Sequence, residues 1–264
     1  MTSTDLDAAA RELATARLNG RAIHPLSSRL APDDAGEGYA IQSRLHRLLS
    51  EAGEGPVTGH KIGCTTPVMR QKLGIDQPCA GAIHGRRVLG DGGTWSVAGR
   101  IKPSVECEIA VWLASDLPAI AGHYTADSVH AAVGACMASI ELCDDRYIDR
   151  EKMGVPTLIA DDFYNVGCAL GREIASWQAI DLAAIAGGMR INGKEMGRGK
   201  GGDIMGHPFA ALAWLANLRA GEGHHLKAGA FVTLGSIVNS QRVAPGDRVD
   251  IEIESLGRLA ISVI

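Results

Sequence analysis

The apolar positions of this chain fall into two textures. From Thr4 to Leu18, Leu6, Ala10, Leu13, Ala14 and Leu18 recur at helical spacing, with acidic residues early and Gly20 just past the end. A second helix is predicted from about Gly38 to Ala52, with Ile41, Leu45, Leu48 and Leu49 inward and Gly53 as its stop. From Val57 the pattern shortens into runs punctuated by glycine: GHKIGCTT, GIDQPCAGAIHG, LGDGGTW. A strand is predicted over 105–113, an apolar helix from about Ala126 to Ile140, and another β-like piece over 164–170. MRINGKEM (189–196) reads as a hairpin turning at Asn192-Gly193. His207-Pro208 opens a helix through Leu218, with Pro at its first position. The tail is all strand: Ala230–Leu234, Arg248–Glu254 and Leu259–Val263. Helices first, then a β-rich body with two interrupting helices, argues for an α+β fold rather than alternating βαβ units. The expected division is an N-terminal helical region, 1–56, packed on a β-rich catalytic domain, 57–264.

The strand VECEIAV (105–111) raises the first chemical question. Successive strand residues face opposite sides, so Val105, Cys107, Ile109 and Val111 share one face and Glu106 and Glu108 the other. Two readings stand: a half-buried strand with a solvated acidic side, or a pair of ligands for a hard cation. Glu141 bears on the choice. No Asp, Glu, Lys or Arg occurs from Ser128 through Ile140, and then Glu141 appears between Ile140 and Leu142. An isolated carboxylate in such company is costly, so it is paired, metal-bound, or looking into water at the end of its predicted helix. Three carboxylates brought together stay ionised only around a divalent cation, and all-oxygen ligation selects Mg²⁺, Mn²⁺ or Ca²⁺ over zinc.

Other segments bear on the same chemistry. Lys61 sits between two glycines in GHKIG without a neighbouring carboxylate, either solvated or placed to stabilise a bound anion or exchange a proton. Asp161 and Asp162 precede a strand, as a turn signal or a catalytic loop, and Asp144, Asp145 and Arg146 form a surface ion cluster or support the site from behind. GRGKGG (197–202) satisfies G-x-G-x-x-G, but Asp203–Gly206 intervene before the next helix and no βαβ unit follows, so dinucleotide binding is not expected. His224-His225 in GEGHHLKAG reads as a solvated turn.

Composition narrows the class. With 46% hydrophobic and 21% charged residues, the 264-residue chain reads as a soluble globular protein. Its net charge of −4 and lack of a basic block argue against nucleic acid. No apolar window approaches a membrane span, and MTSTDLDAAARELA lacks the pattern of a secretory signal. Six cysteines without a C-x-x-C pair suggest neither disulfides nor zinc, and a cytoplasmic location is expected.

Taken together, GHKIGCTT, GIDQP, the E-C-E strand, IELCDDRY, IADD, GRGKGGDIMGHP with AWLANL, and APGDRVDIEIESLGRLAISV resemble the hydratase and decarboxylase branch of the fumarylacetoacetate hydrolase superfamily. Typical members are 2-oxopent-4-enoate hydratases of aromatic meta-cleavage catabolism, and the likeness covers essentially the full chain. It implies helices packed on a β-rich roll, a homo-oligomer, and one Mg²⁺ or Mn²⁺ held by Glu106, Glu108 and Glu141. It also implies Lys61 and Asp161 as catalytic residues, with Lys61, Cys64 and Cys79 against the substrate. The implied activity is that of a carbon–oxygen lyase adding water to a 2-hydroxy-2,4-dienoate, or its 2-oxo-4-enoate form, to give a 4-hydroxy-2-oxo acid. Alternatives are a 4-oxalocrotonate-type decarboxylase, a C–C hydrolase on the same site, or a non-catalytic partner subunit. Two departures stand out: Cys79 occupies a position that is acidic in the hydratases, and Asp162-Phe163-Tyr164 follows the aspartate of the later motif. Asp162 and His84 are the candidates to replace the missing acid.

Overall fold

The helical start forms for reasons visible at its ends. Helix α1 (Ser3–Leu18) begins in a capping box, where Thr2 accepts from the Asp5 N–H and the Asp5 carboxylate reaches back to Thr2. Helix α2 (Ala35–Leu49) is capped by Asp34, whose carboxylate accepts from the Glu37 N–H at 2.9 Å. A wider helical turn, Ser50–Glu54, then runs to Gly55. The computed structural model describes residues 1–120 and 124–264.

The body continues with β1 (Val57–Gly63), α3 (Pro67–Leu73), β2 (Cys79–His84), β3 (Val88–Leu89), β4 (Gly93–Trp95) and β5 (Pro103–Leu113). Next come α4 (Ala126–Val129), β6 (Val133–Asp144), α5 (Val155–Ala160), β7 (Asn165–Leu170), β8 (Ala186–Ile191) and β9 (Lys194–Lys200). The chain closes with α6 (Pro208–Gly221), β10 (Phe231–Arg242), β11 (Arg248–Ile253) and β12 (Gly257–Val263). A seven-stranded mixed sheet has the order β2-β1-β10-β5-β6-β7-β3, and a five-stranded sheet the order β4-β12-β11-β8-β9. Apolar side chains of both sheets, among them Ile109, Ile140, Val232, Ile251 and Ile261, meet in one core that α6 covers with Phe209, Leu212 and Leu215. The fold is α+β, with helices on mixed sheets.

A second core joins the N-terminal helices to the body. Ala10 and Leu13 of α1 and Ile41 and Leu45 of α2 pack with Cys79, Leu158, Ile159 and Phe163. The helices thus press on the segment α5–β7, which reaches the site described below.

One expectation is overturned. The apolar run predicted as a helix from Ala126 to Ile140 is helical only through Val129, where Thr125 caps α4, and then becomes the twelve-residue strand β6. Its residues are buried on both faces because β6 lies between β5 and β7 with the core beneath. A strand covered on both faces shows no alternation, and its continuous apolar pattern is the same as that of a buried helix.

The hairpin at Asn192-Gly193 forms as expected, with positive φ at both residues (53° and 79°). GRGKGG lies along β9 and the turn after it. A side chain at Gly199 or Gly201 would place its Cβ 1.8 Å from the carbonyl oxygen of Ile237 or Leu182. These glycines answer a close backbone approach, which accounts for the motif without a nucleotide. Among the described residues, no helix is long and apolar enough to cross a membrane, and all six cysteines are free thiols.

Candidate active site

Glu106 and Glu108 stand two residues apart on β5, so they share a face, and the β5–β6 register sets Glu106 directly opposite Glu141. One oxygen from each of the three carboxylates lies within 4.8 Å of the others. Glu108 and Glu141 are 1% and 2% exposed, and Glu106 is half-buried. Any two such charges repel by about 3 kcal/mol at an effective dielectric of about 20. Burial, followed by the neighbouring charge of Glu141, pushes the Glu106 carboxyl up to about 7 and the Glu108 carboxyl well above the usual range.

The protein compensates this charge only in part. Lys61, buried on β1, sets its Nζ 3.3 Å from Glu141 Oε1 and donates to the Phe163 carbonyl at 3.0 Å. Asn165 Nδ2 donates to Glu141 Oε1 at 2.9 Å, and the Gly235 N–H to Glu108 Oε2 at 3.3 Å. Burial works against the Lys61 ammonium, but Glu141 foremost among its neighbours holds the pKa above that of an ordinary lysine. In the metal-free protein Glu141 thus holds Lys61 as a cation beside the carboxylates. Gly235 has φ 125°, and a Cβ there would lie 2.5 Å from Thr65 Oγ1, so only glycine lets its N–H reach Glu108.

Cys64 and Cys79 adjoin Lys61 through the β1–β2 ladder, in which Gly63 pairs with Cys79. The two thiols act on each other, so that the Cys64 pKa is lowered while that of Cys79 is raised. Cys64 sits in the left-handed region at φ 59°, a strained conformation for a side-chain-bearing residue.

Asp161 and Asp162 belong to a different cluster. Both are fully buried. Asp161 Oδ2 accepts from Arg146 Nη2 at 2.6 Å and from the Tyr147 hydroxyl at 2.8 Å, and Arg17 Nη1 lies 3.5 Å from its Oδ1. Asp162 accepts from Arg17 Nη1 and His46 Nε2, each at 2.7 Å, and from the Ala82 N–H at 3.1 Å. Burial opposes its charge, yet His46 and Arg17 hold its carboxyl far below the usual range. Asp162, Phe163 and Tyr164 all have positive φ (57°, 49° and 74°), a tight strained turn that carries the Phe163 carbonyl to Lys61 and leads into Asn165. His84, the other candidate replacement acid, gives its Nδ1–H to the Gly55 carbonyl at 3.0 Å.

Arg17, His46, Asn165 and Gly235 were not visible as site residues in the sequence. Nothing in their local pattern separates them from surface or turn residues. Arg146 takes the supporting role among its two readings, since it is 3% exposed and bonded to Asp161.

A family model for the fumarylacetoacetate (FAA) hydrolase C-terminal region matches residues 69–264. The chain belongs to the fumarylacetoacetate hydrolase family. Within it, a 2-keto-4-pentenoate hydratase of Burkholderia vietnamiensis (strain G4 / LMG 22486) is 36% identical over 94% of this chain and 93% of its own. A 4-oxalocrotonate decarboxylase of Pseudomonas putida is 29% identical over 96% of this chain and 94% of its own. Among solved structures, 4-oxalocrotonate decarboxylase from Pseudomonas putida G7, complexed with magnesium and adipate, matches with a TM-score of 0.93 at 27% identity. That match covers 100% of this chain and 99% of the other.

Proposed function

We propose that this chain is a divalent-metal-dependent carbon–oxygen lyase of aromatic catabolism. It hydrates a 2-hydroxy-2,4-dienoate, in its 2-oxo form, to a 4-hydroxy-2-oxo acid. The observation that carries the reading is the under-compensated triad of Glu106, Glu108 and Glu141, in a family member whose hydratase-named relatives share about a third of its sequence over nearly the full chain. The donor set fits a hard cation, Mg²⁺ or Mn²⁺, since three oxygens converge with one lysine against their charge. The chemistry such a cation would supply here, held by Glu106, Glu108 and Glu141, is Lewis-acid polarisation of a bound 2-oxo acid.

The chain's own groups act around that centre. Lys61, held by Glu141 and the Phe163 carbonyl, sets a positive charge beside the oxygen on which enolate charge develops. Protonation of the dienolate at the far end of the diene moves the double bond into conjugation with the ketone, and water then adds at C4. Cys79 stands where the hydratases keep an acid, and with Cys64 it is assigned to the substrate side of Lys61. Asp161 acts as a positioning residue, because its bonds to Arg146 and Tyr147 set the strained turn that supports Lys61 and Asn165. A homo-oligomer in the cytoplasm completes the reading, and light scattering on the purified protein tests the assembly.

A decarboxylase reading has specific support in the decarboxylase structure matched over the whole chain and in the cysteine at position 79. One experiment separates the two. The enzyme is incubated with Mg²⁺ or Mn²⁺ and either 2-hydroxypenta-2,4-dienoate or a 4-oxalocrotonate-type diacid, following diene absorbance and released CO₂. Metal-dependent loss of the diene without CO₂ supports hydration. CO₂ release from the diacid, with no turnover of the monoacid, moves the assignment to decarboxylation.

A further inference from the structure

A second charged site lies apart from the three carboxylates. A crevice with a cavity of about 30 Å³ opens between the end of α1, the turn after α2 and the β2–β3 connection, lined by Arg17, Glu54, His84, Arg87, Arg100 and Arg146 with apolar neighbours. This volume seats about two oxygens of a small group, the rest of which lies toward the open side of the crevice. Three of the four arginines have partners: Arg17 with Asp162, Arg146 with Asp161, and Arg87 with Glu54 in a two-point pair. Arg100 has no ion pair among the described residues. Asp144 is the carboxylate that acts in favour of its charge, and one oxygen of that carboxylate is taken by the N–H groups of Ile101 and Lys102. Burial, with Arg87 foremost among the neighbouring charges, presses the Arg100 pKa down to about 10.

The opposite character enters from His84. It is 3% exposed, and its Nδ1 carries the hydrogen because the Gly55 carbonyl it meets at 3.0 Å can only accept. Its Nε2 is buried without a partner and in the neutral ring is a bare acceptor. The crevice thus offers guanidinium donors for anionic oxygens and one imidazole nitrogen that wants an O–H.

We propose that this crevice binds a small oxyanion that retains a hydroxyl, the chemistry of bicarbonate or hydrogen phosphate. Its oxygens accept from Arg100 and the neighbouring guanidiniums, and its O–H donates to His84 Nε2. A fully deprotonated oxyanion satisfies the arginines but meets the nitrogen lone pair with another lone pair. The site is distinct from the proposed catalytic centre, since none of the three carboxylates lines it. The two meet through Asn165, whose carbonyl accepts from Arg17 and Arg146 while its amide donates to Glu141.

The test titrates the metal-loaded protein with sodium bicarbonate, sodium phosphate, sodium sulfate and sodium chloride at fixed pH and ionic strength, reading the thermal midpoint and the heat of binding. Bicarbonate or phosphate is expected to bind saturably and raise the midpoint, with sulfate and chloride giving no saturable response. The anion that responds identifies the physiological class. Arg100→Gln is expected to weaken the binding by about tenfold or more, and His84→Phe to remove the preference over sulfate. The Arg100 side chain is partly exposed, so that variant is expected to fold even if the His84 variant does not. Equal responses to sulfate, no saturable binding, or undiminished binding by Arg100→Gln would each overturn the proposal. So would loss of the effect on metal removal with EDTA, which assigns it to the carboxylates.

Discussion

Two buried charge clusters are joined through Asn165 and are solved in opposite ways. In the first, Asp161 and Asp162 face Arg17, Arg146 and His46, and every carboxylate has a cationic partner. In the second, Glu106, Glu108 and Glu141 face Lys61 alone. The consequence is read in their protonation: partners hold Asp162 ionised well below the usual range, whereas burial and mutual repulsion push Glu106 and Glu108 up. A balanced cluster is complete and serves to tie the N-terminal helices to the body. An unbalanced one leaves coordination to be supplied from outside, which is what a metal-dependent enzyme needs.

The largest effect that sharpens this contrast is expected from Glu108→Gln. With several kcal/mol of transition-state stabilisation lost, kcat/KM falls by about 10³-fold or more. Thermal unfolding of the metal-free variant should nevertheless show it more stable than the metal-free parent, by on the order of 1 kcal/mol, because one repelling charge is gone. A variant that loses both activity and metal-free stability breaks the comparison.

Asp162→Ala should behave the other way. Removing one partner leaves Arg17 and His46 buried without compensation, at a cost of about 3–5 kcal/mol in chemical denaturation, with or without metal. Lys61→Met lies between the clusters in character. It removes one charge stabiliser and should lower kcat by about 10²-fold while leaving metal affinity intact or improved, as read by calorimetry.

The smallest effect is the pH dependence, and it carries opposite signs in the two clusters. Glu106, at about 7 in the fold against an ordinary 4.5, binds its proton more tightly when folded. The metal-free protein therefore loses this contribution as pH rises between those values. Asp162 is depressed below its ordinary value of 3.8, so its contribution is present above that pH and lost as pH falls below it. Saturating Mg²⁺ should abolish the first slope and leave the second, adding about 2.7 kcal/mol at a hundred times Kd. Urea denaturation across pH, with and without Mg²⁺, measures both.

Much of the frame was legible in the chain. The capped helices, the 189–196 hairpin and the tail strands were legible because each is specified by residues a few positions apart. The reading failed at 126–140, since a strand buried on both faces carries no period to distinguish it from a helix. The partners Arg17, His46 and Asn165 were hidden for a related reason: they meet their carboxylates across 145, 116 and 24 residues of chain.

By itself the sequence determined that Glu106 and Glu108 share a face, because a strand repeats every two residues whatever surrounds it. It also placed Lys61, Cys64 and Cys79 in glycine-punctuated segments able to approach a ligand. Only the tertiary structure decided that Glu141 completes the cluster, through the β5–β6 register that sets it opposite Glu106. Only the tertiary structure separated Asp161 and Asp162 from it, by supplying arginines from α1 and from the segment after β6. Pairing across a sheet and burial of charge are non-local quantities, and no short stretch of chain contains them.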